Sequence, residues 1–266
     1  MDKARLIHEI FEKQSFLCVG LDTDLERIPR FLLDYDDPVY EFNKRIIDAT
    51  QAHCVAYKPN IAFYESLGSK GWDSLRKTID YIPANFFTIA DAKRGDIGNT
   101  SRMYAKTFFE TYAFDSITIN PYMGADSVQP FLDFKGKWAI ILAITSNLGS
   151  QDFQHIQENG EKLYQTVVRK SFDWGNDEHI MFVTGATHPK ELAEIRALAP
   201  KSFFLVPGVG AQGGDLDAVV KSGRNKDIGL LVNSARSIIY ASDKEDFAEA
   251  AQAEAARLHE QMRAYF

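Results

Sequence analysis

This sequence has only two cysteines, no long apolar run, and fewer basic than acidic residues, 30 against 37. The two cysteines, Cys18 and Cys54, lie in apolar segments, which indicates buried thiols in a reducing cytoplasm rather than a disulfide. No apolar run approaches the ~20 residues that span a bilayer, so no membrane association is expected. The net charge of −7 disfavours general nucleic-acid binding, but it leaves room for a local basic pocket that binds a phosphorylated small molecule.

Linkers and low-complexity segments are also absent, since no stretch is rich in Pro, Gly and Ser. Residues 1–14 have the spacing of an amphipathic helix with acidic residues throughout, which is not the pattern of a signal peptide. Hydrophobic residues make up 45% and charged residues 25% of the chain, as is usual for a globular protein. We therefore expect a single domain over residues 1–266 that begins with an extra N-terminal helix.

Short apolar, β-rich runs alternate with segments of helical periodicity along the whole chain. Near-continuous apolar strands separated by helices are typical of a parallel sheet covered by helices. Eight such units favour a closed (β/α)8 TIM barrel, an α/β fold, over an open doubly wound sheet. The longest irregular stretch is 145–162, and the candidate lids are 147–162 within it and 209–216. The predicted strands span 16–22, 54–58, 86–91, 116–120, 138–145, 179–185, 203–208 and 228–234.

Polar residues follow the carboxyl ends of these strands, where (β/α)8 barrels carry their active sites. Asp22 ends the first strand, Lys58 the second, and Asp91 and Lys93 the third. Asp91 and Lys93 are two residues apart, so an extended strand would point both side chains to the same face. The pattern predicts an alternating Lys–Asp–Lys–Asp cluster at the barrel mouth, and it weakens the alternative of solvated surface ion pairs.

Residues 208–213, GVGAQG, match the G-x-G-x-x-G dinucleotide fingerprint, but in the wrong context. The match follows the seventh strand instead of opening the first βαβ unit, and the next strand ends in Asn233 rather than an acid. A nicotinamide cofactor is therefore not expected. Glycine-rich backbone N–H groups after strand seven suit a phosphate instead. Gln212 and Arg236 are candidate phosphate ligands, although Arg236 could instead cap a helix or pair with Asp243.

Residues 91–100, at the end of the third predicted strand, read DAKRGDIGNT. Together with segments at the other strand ends, this motif resembles the orotidine 5′-phosphate decarboxylase family, in its longer bacterial branch. The resemblance covers about residues 16–240 and is carried mainly by residues 91–100. A D-x-K-x-x-D core is shared with related sugar-phosphate barrels, whereas the inserted Arg-Gly and the trailing Ile-Gly-Asn-Thr point to the decarboxylase. The other matching segments are GLD, YKPN, TSN, PGVGAQGGD and ARS.

The resemblance implies conversion of orotidine 5′-monophosphate to uridine 5′-monophosphate (UMP) and CO2, the last step of de novo UMP synthesis, without metal or organic cofactor. Lys93 would protonate the C6 carbanion that departing CO2 leaves, and Asp91 would face the substrate carboxylate. Lys58 and Asp96 would complete the charged array, while Asp22 and Lys58 would hold ribose hydroxyls. An ammonium at Lys93 suits this step, because only interactions stronger in the transition state accelerate it.

The resemblance also implies a homodimer with shared active sites, in which Asp96 and Thr100 reach the partner's site. Ser146 would bond to the pyrimidine, although Thr145 and Asn147 could also face it. The substrate-binding residues implied in this way are Asp22, Thr100, Ser146, Pro207, Gln212 and Arg236.

Three other functions fit parts of the pattern. A metal-dependent sugar-phosphate lyase or decarboxylase of the same superfamily would use the acids to bind Mg²⁺, but Lys58 and Lys93 disfavour a further cation there. A Schiff-base aldolase would need a neutral Lys93, which Asp91 and Asp96 oppose. A non-catalytic nucleotide-binding protein has no need for such an array. None of the six histidines falls within it.

Overall fold

The computed structural model describes residues 1–209 and 214–266. The strands found in these residues are β1 (Leu17–Leu21), β2 (Ala56–Pro59), β3 (Phe87–Arg94), β4 (Ser116–Ile119), β5 (Trp138–Ile144), β6 (Gln157–Glu158), β7 (Glu161–Lys162), β8 (Ile180–Thr184), β9 (Phe203–Pro207) and β10 (Leu230–Ser234).

Helices follow the strands of the barrel. The α-helices in the described residues are α1 (Lys3–Lys13), α2 (Pro38–Thr50), α3 (Ile61–Glu65), α4 (Gly68–Tyr81), α5 (Gly98–Lys106), α6 (Ala125–Leu132), α7 (Leu163–Trp174), α8 (Pro189–Leu198), α9 (Leu216–Gly223), α10 (Arg236–Ile239) and α11 (Phe247–Arg263). Two 3₁₀ segments (Arg30–Asp34 and Leu148–Asp152) and a π-helical turn (Thr107–Thr111) complete the set for these residues.

Eight parallel strands close into a barrel in the order β1-β10-β9-β8-β5-β4-β3-β2. Every residue of β1, β4, β8 and β10 is buried, because the strands face the barrel interior on one side and the helices on the other. The predicted (β/α)8 barrel is therefore confirmed, with each of the eight predicted strands present and its ends shifted by a few residues.

The N-terminal helix α1 is present as predicted and is anchored to the barrel. Asp2 caps the helix by accepting the N–H of Arg5, and Leu6 and Ile10 are fully buried. The indole N–H of Trp138, at the start of β5, donates to the carbonyl of Met1 at 2.9 Å. The beginning of the chain therefore lies against the amino-terminal end of a barrel strand, opposite the end that carries the predicted site.

The segment 145–162 is more regular than its sequence indicates. It contains the 3₁₀ turn Leu148–Asp152 and the antiparallel hairpin β6–β7. Among the helices of the described residues, none combines the length and apolarity of a membrane span. Cys18 and Cys54 are both buried free thiols.

Candidate active site

The end of β3 departs from regular strand geometry just where the charged residues begin. The register between β3 and β4 shifts after Ala90, and Lys93 has a φ of +47°. The hydroxyl oxygen of Thr118, on β4, accepts the N–H groups of Ala92 at 3.0 Å and Lys93 at 2.9 Å. Although β3 continues to Arg94, its geometry is not regularly extended at Lys93, because this bulge interrupts its pairing with β4.

The bulge nevertheless brings the predicted charges together. Lys93 Nζ donates to Asp91 Oδ1 at 2.6 Å, and Lys58 Nζ donates to Asp91 Oδ2 at 2.7 Å. Asp22 Oδ1 lies 4.0 Å from Lys58 Nζ. Thr118 adds a hydrogen bond to Asp91 Oδ1 at 3.1 Å. Both carboxylate oxygens of Asp91 are thus held by ammonium groups, and the four charges alternate in sign.

Burial and charge act in opposite directions on this cluster. Burial alone would lower the pKa of Lys58, which is 3% exposed, but the carboxylates of Asp91 and Asp22 outweigh it and raise that pKa above its ordinary value. Burial likewise acts to raise the pKa of Asp91, but Lys58 and Lys93 hold that pKa well below its usual range. For Asp22 the effect of burial is larger than the lowering effect of Lys58, so the pKa of Asp22 is raised. Lys58 and Asp91 are therefore ionised at neutral pH.

The cluster faces a cavity of about 410 Å³ at the carboxyl ends of the strands. Its volume is suitable for a small-molecule ligand. One side of the cavity carries the charged cluster, and Arg236 lies on another side. The lining residues are Asp22, Lys58, Asn60, Asp91, Lys93, Thr118, Leu142, Thr145, Ser146, Asn147, Val183, Leu205, Pro207, Gly208, Val209, Asn233, Ala235 and Arg236.

Most of the predicted site residues line this cavity, but Asp96 and Thr100 do not. Asp96 Oδ1 accepts the N–H of Ile97 at 2.7 Å in the loop before α5, and Thr100 is exposed on α5. Gln212 lies outside the described residues. Those that line the cavity are Asp22, Lys58, Asp91, Lys93, Ser146, Pro207 and Arg236.

Arg236 follows the end of β10 and is exposed toward the cavity. In residues 1–209 and 214–266 it forms no ion pair with Asp243 or any other acid. Its guanidinium is therefore available to an anionic ligand. Arg94 behaves differently, because it pairs with Glu65 outside the cavity and lies over the ring of Tyr104.

The segment that follows β5 is folded back on itself beside the cavity. The side chain of Gln154 accepts the N–H of Thr145 at 2.9 Å and donates to its hydroxyl at 2.9 Å. The Thr145 hydroxyl donates to Asn147 Oδ1 at 2.6 Å. A Cβ on Gly185 would stand 2.9 Å from the backbone nitrogen of Ser146, so the lack of a side chain lets β8 approach this segment.

Sequence reasoning missed several residues that line the cavity. Asn60 is two residues after Lys58 and Thr118 is one residue before the end of β4, so the period-two alternation of strands could have placed both inward. In the sequence, Asn233 stands out only because it ends the eighth predicted strand where a dinucleotide-binding site would have an acid. Leu142, Val183 and Leu205 are apolar strand residues, and nothing in their type distinguishes them from core.

The chain is similar to known proteins in both sequence and fold. Residues 15–251 match the model of the family described as "Orotidine 5'-phosphate decarboxylase / HUMPS family". The orotidine 5′-phosphate decarboxylases of Christiangramia forsetii and Phocaeicola vulgatus are 58% and 56% identical to the chain, and each alignment covers 98% of it and 97% or 98% of the relative. The structure of Leishmania donovani OMP decarboxylase superposes with a TM-score of 0.87 at 38% identity, covering 99% of this chain and 98% of that one. The chain therefore belongs to the orotidine 5′-phosphate decarboxylase / HUMPS family.

Proposed function

We propose that this protein decarboxylates orotidine 5′-monophosphate to UMP and CO2, as the last step of de novo UMP synthesis. The observation that carries the proposal is the buried Asp91 carboxylate, held between the ammonium groups of Lys58 and Lys93 inside a cavity. Family membership and the names of the relatives support the same reaction.

Lys93 is the proposed proton donor. Loss of CO2 leaves a negative charge at C6 of the pyrimidine, and an ammonium group nearby stabilises that charge and then neutralises it. Asp91 would lie beside the substrate carboxylate and repel it, with an interaction of roughly 4 kcal/mol at ~4 Å for an effective dielectric of 20. The repulsion disappears as CO2 leaves, so both residues favour the transition state over the bound substrate.

The rest of the cavity is proposed to bind the parts of the substrate that do not react. Asp22 Oδ1 is buried without a hydrogen-bond partner in the described residues. It could therefore accept a hydrogen bond from a ribose hydroxyl. Lys58 would contact the same sugar, and Arg236 the phosphate, in a bidentate hydrogen bond. Ser146 would contact the base and Gln212 the phosphate, and Pro207 is a further proposed substrate contact. Binding energy from these remote groups can align the reacting ring.

The protein is further proposed to act as a homodimer with shared sites. Asp96 and Thr100 belong to the family signature but do not line the cavity of their own chain. Large apolar side chains are exposed beside them in the chain, with Ile97 at 55% and Met103, on the same helix as Thr100, at 49%. A second copy of the chain would bury these side chains and receive Asp96 in its own cavity.

Several further properties follow from the same proposal. The protein would act in the cytoplasm as a single domain over residues 1–266, without metal or cofactor and with a nucleotide as its small-molecule ligand. Segments 147–162 and 209–216 would act as lids, since Asn147 and Val209 line the cavity. Residues 210–213 of the second segment lie outside the described residues. The metal-dependent sugar-phosphate alternative is less well supported, because lysines already occupy both oxygens of Asp91.

The direct test is loss of the ultraviolet absorbance of orotidine 5′-monophosphate on adding the purified protein. Wild-type protein should convert it to UMP, and Lys93→Ala should not. A folded wild-type protein that leaves this nucleotide unchanged but consumes a sugar phosphate would refute the proposal.

A further inference from the structure

Asn233 is a buried amide that the reaction as described does not use. It is 7% exposed, it lies on β10, and its side chain lines the cavity. Its Oδ1 atom is buried and has no hydrogen-bond partner within residues 1–209 and 214–266. Buried polar groups in folded proteins are nearly always satisfied, so an unpaired amide oxygen in a ligand cavity calls for an explanation.

The position of Asn233 indicates which part of a ligand it can reach. Its lateral neighbours are Cys18 on β1 and Pro207 on β9. Around the barrel β10 is separated from β3, which carries Lys93, by β1 and β2. Arg236 follows three residues later on the same strand end and lines the same cavity. Asn233 therefore faces the ligand from the wall that carries the candidate phosphate ligand, away from the reacting charges.

The neighbouring strand leaves space for this amide. A Cβ added at Gly20, on β1, would stand 3.2 Å from Asn233 Oδ1 and 2.5 Å from the Cβ of Ala235. Any side chain at Gly20 would press on the amide and on the turn into α10. The absence of one lets the amide lie against β1 without supplying a hydrogen-bond partner from that strand.

We propose that Asn233 is a substrate-binding residue that hydrogen-bonds the pentose-phosphate half of the nucleotide. This assignment rests on the proposed function and adds a residue to it. An amide offers both a donor and an acceptor, and by turning about its last bond it can present either one. A ribosyl phosphate carries hydroxyl donors and several oxygen acceptors, so it can satisfy the amide on the wall between Asp22 and Arg236.

The unpaired Oδ1 atom of Asn233 has a consequence for stability as well as for binding. A buried acceptor without a partner destabilises the ligand-free protein, and the ligand removes that penalty when it binds. Asn233 should therefore strengthen the complex while it weakens the free protein. A residue that merely supports the barrel would behave in the opposite way, because its replacement would lower the melting temperature.

Binding of ribose 5-phosphate and of UMP to purified variants tests the assignment. Asn233→Ala should weaken both ligands about tenfold, the factor expected when a ligand loses its hydrogen bond to a buried group. Asn233→Leu, of similar volume and without polar atoms, should lose affinity in the same way while melting no lower than wild type. Ser234→Ala is the control, since the Ser234 hydroxyl bonds to Ser237 at 2.7 Å and does not line the cavity.

Unchanged affinity of Asn233→Ala for both ligands would overturn the assignment. Weakened binding of UMP with unchanged binding of ribose 5-phosphate would also overturn it, because the amide would then contact the base. A lower melting temperature of Asn233→Leu without loss of affinity would assign a structural role instead. If wild-type protein binds ribose 5-phosphate but does not decarboxylate orotidine 5′-monophosphate, the proposed function fails, and the comparison of variants still decides the role of Asn233.

Discussion

Thr118 accepts the backbone N–H of Lys93 at 2.9 Å from the neighbouring strand. The same hydroxyl donates to Asp91 Oδ1 at 3.1 Å. Lys93 has a φ of +47°, a backbone conformation that costs on the order of 1–3 kcal/mol for a residue with a side chain. The hydroxyl of Thr118 therefore stabilises the bulge that points the lysine at the carboxylate.

Replacing Thr118 with valine should lower kcat at least about tenfold, because hydrogen bonds to a charged group are worth roughly 1.5–3 kcal/mol. KM should change less, since Thr118 lies at the reacting end of the cavity beside β3. Thr118→Ser keeps the hydroxyl and should retain most activity. Steady-state kinetics of the two variants make the comparison, and equal activity of the serine and valine variants would show that the hydroxyl has no role.

Activity should persist after exhaustive chelation. Asp91 already has an ammonium group on each carboxylate oxygen, so neither oxygen is free to ligate Mg²⁺. Decarboxylation is measured after treatment with a chelator and again after adding Mg²⁺. Activity that disappears with the chelator and returns with the metal would favour the sugar-phosphate alternative.

Arg236→Ala should weaken binding of UMP much more than binding of uridine. Arg236 is exposed toward the cavity and has no acidic partner in the residues that the structure describes. Losing its hydrogen bonds to phosphate should cost on the order of 1.5–3 kcal/mol. Calorimetric titration with both ligands tests this, and a similar loss for uridine and UMP would place Arg236 away from the phosphate.

Asp22→Asn should make the ligand-free protein more stable at neutral pH. Burial raises the pKa of Asp22 above that of an unfolded chain, ~3.9. Stability from this group is thus present below the unfolded pKa and is lost as pH rises through the folded pKa. The variant should melt a few degrees higher at pH 7, and the gain should shrink toward pH 4.

Asp91→Asn should have the opposite effect on stability from Asp22→Asn. The pKa of Asp91 is held well below its ordinary value by Lys58 and Lys93, so its carboxylate stabilises the fold above the unfolded pKa. Removing that charge leaves Lys58 buried beside a neutral amide, and the melting temperature at pH 7 should fall. If Asp22→Asn and Asp91→Asn shift the melting temperature at pH 7 in the same direction, this account of the cluster is wrong.

The barrel was predictable because eight apolar strands alternating with helices admit few packings. The end of β3 was not, since the bulge at Lys93 depends on a hydroxyl contributed by Thr118, 25 residues later in the chain. Residue type and spacing identified Asp22, Lys58 and Asp91, because charged residues at the carboxyl ends of strands meet at the barrel mouth.

Asn233 shows what the sequence could not convey. In the sequence, an asparagine at the end of a strand is not distinguishable from any other polar residue there. It becomes a candidate ligand-binding residue only because the structure buries its Oδ1 atom without a hydrogen-bond partner in the described residues. Asp96 and Thr100 show the reverse case. The resemblance to the family marked both as site residues, but the fold of one chain leaves them outside its cavity. In the proposed dimer, their role would depend on a second chain.

The proposed contribution of a second chain to each site is tested by mixing two inactive variants. Asp96 lies beyond Gly95, in the loop before α5, where the chain has turned away from the cavity that contains Lys93. If Asp96 completes the partner's site, Lys93→Ala and Asp96→Ala should each be nearly inactive alone. In a mixed dimer one site carries both lesions and the other carries neither, because a two-fold contact is reciprocal.

Co-refolding the two variants in equal amounts should therefore restore activity. Random pairing places about half of the dimers in the mixed state, each with one intact site, which gives roughly a quarter of wild-type activity. Lys93→Ala refolded with itself is the control and should stay inactive. If Asp96 serves the site of its own chain, every site in a mixed dimer carries one lesion, and mixing restores nothing. That result would eliminate the shared site and leave the decarboxylase proposal intact, because Lys93, Asp91 and Lys58 all belong to one chain.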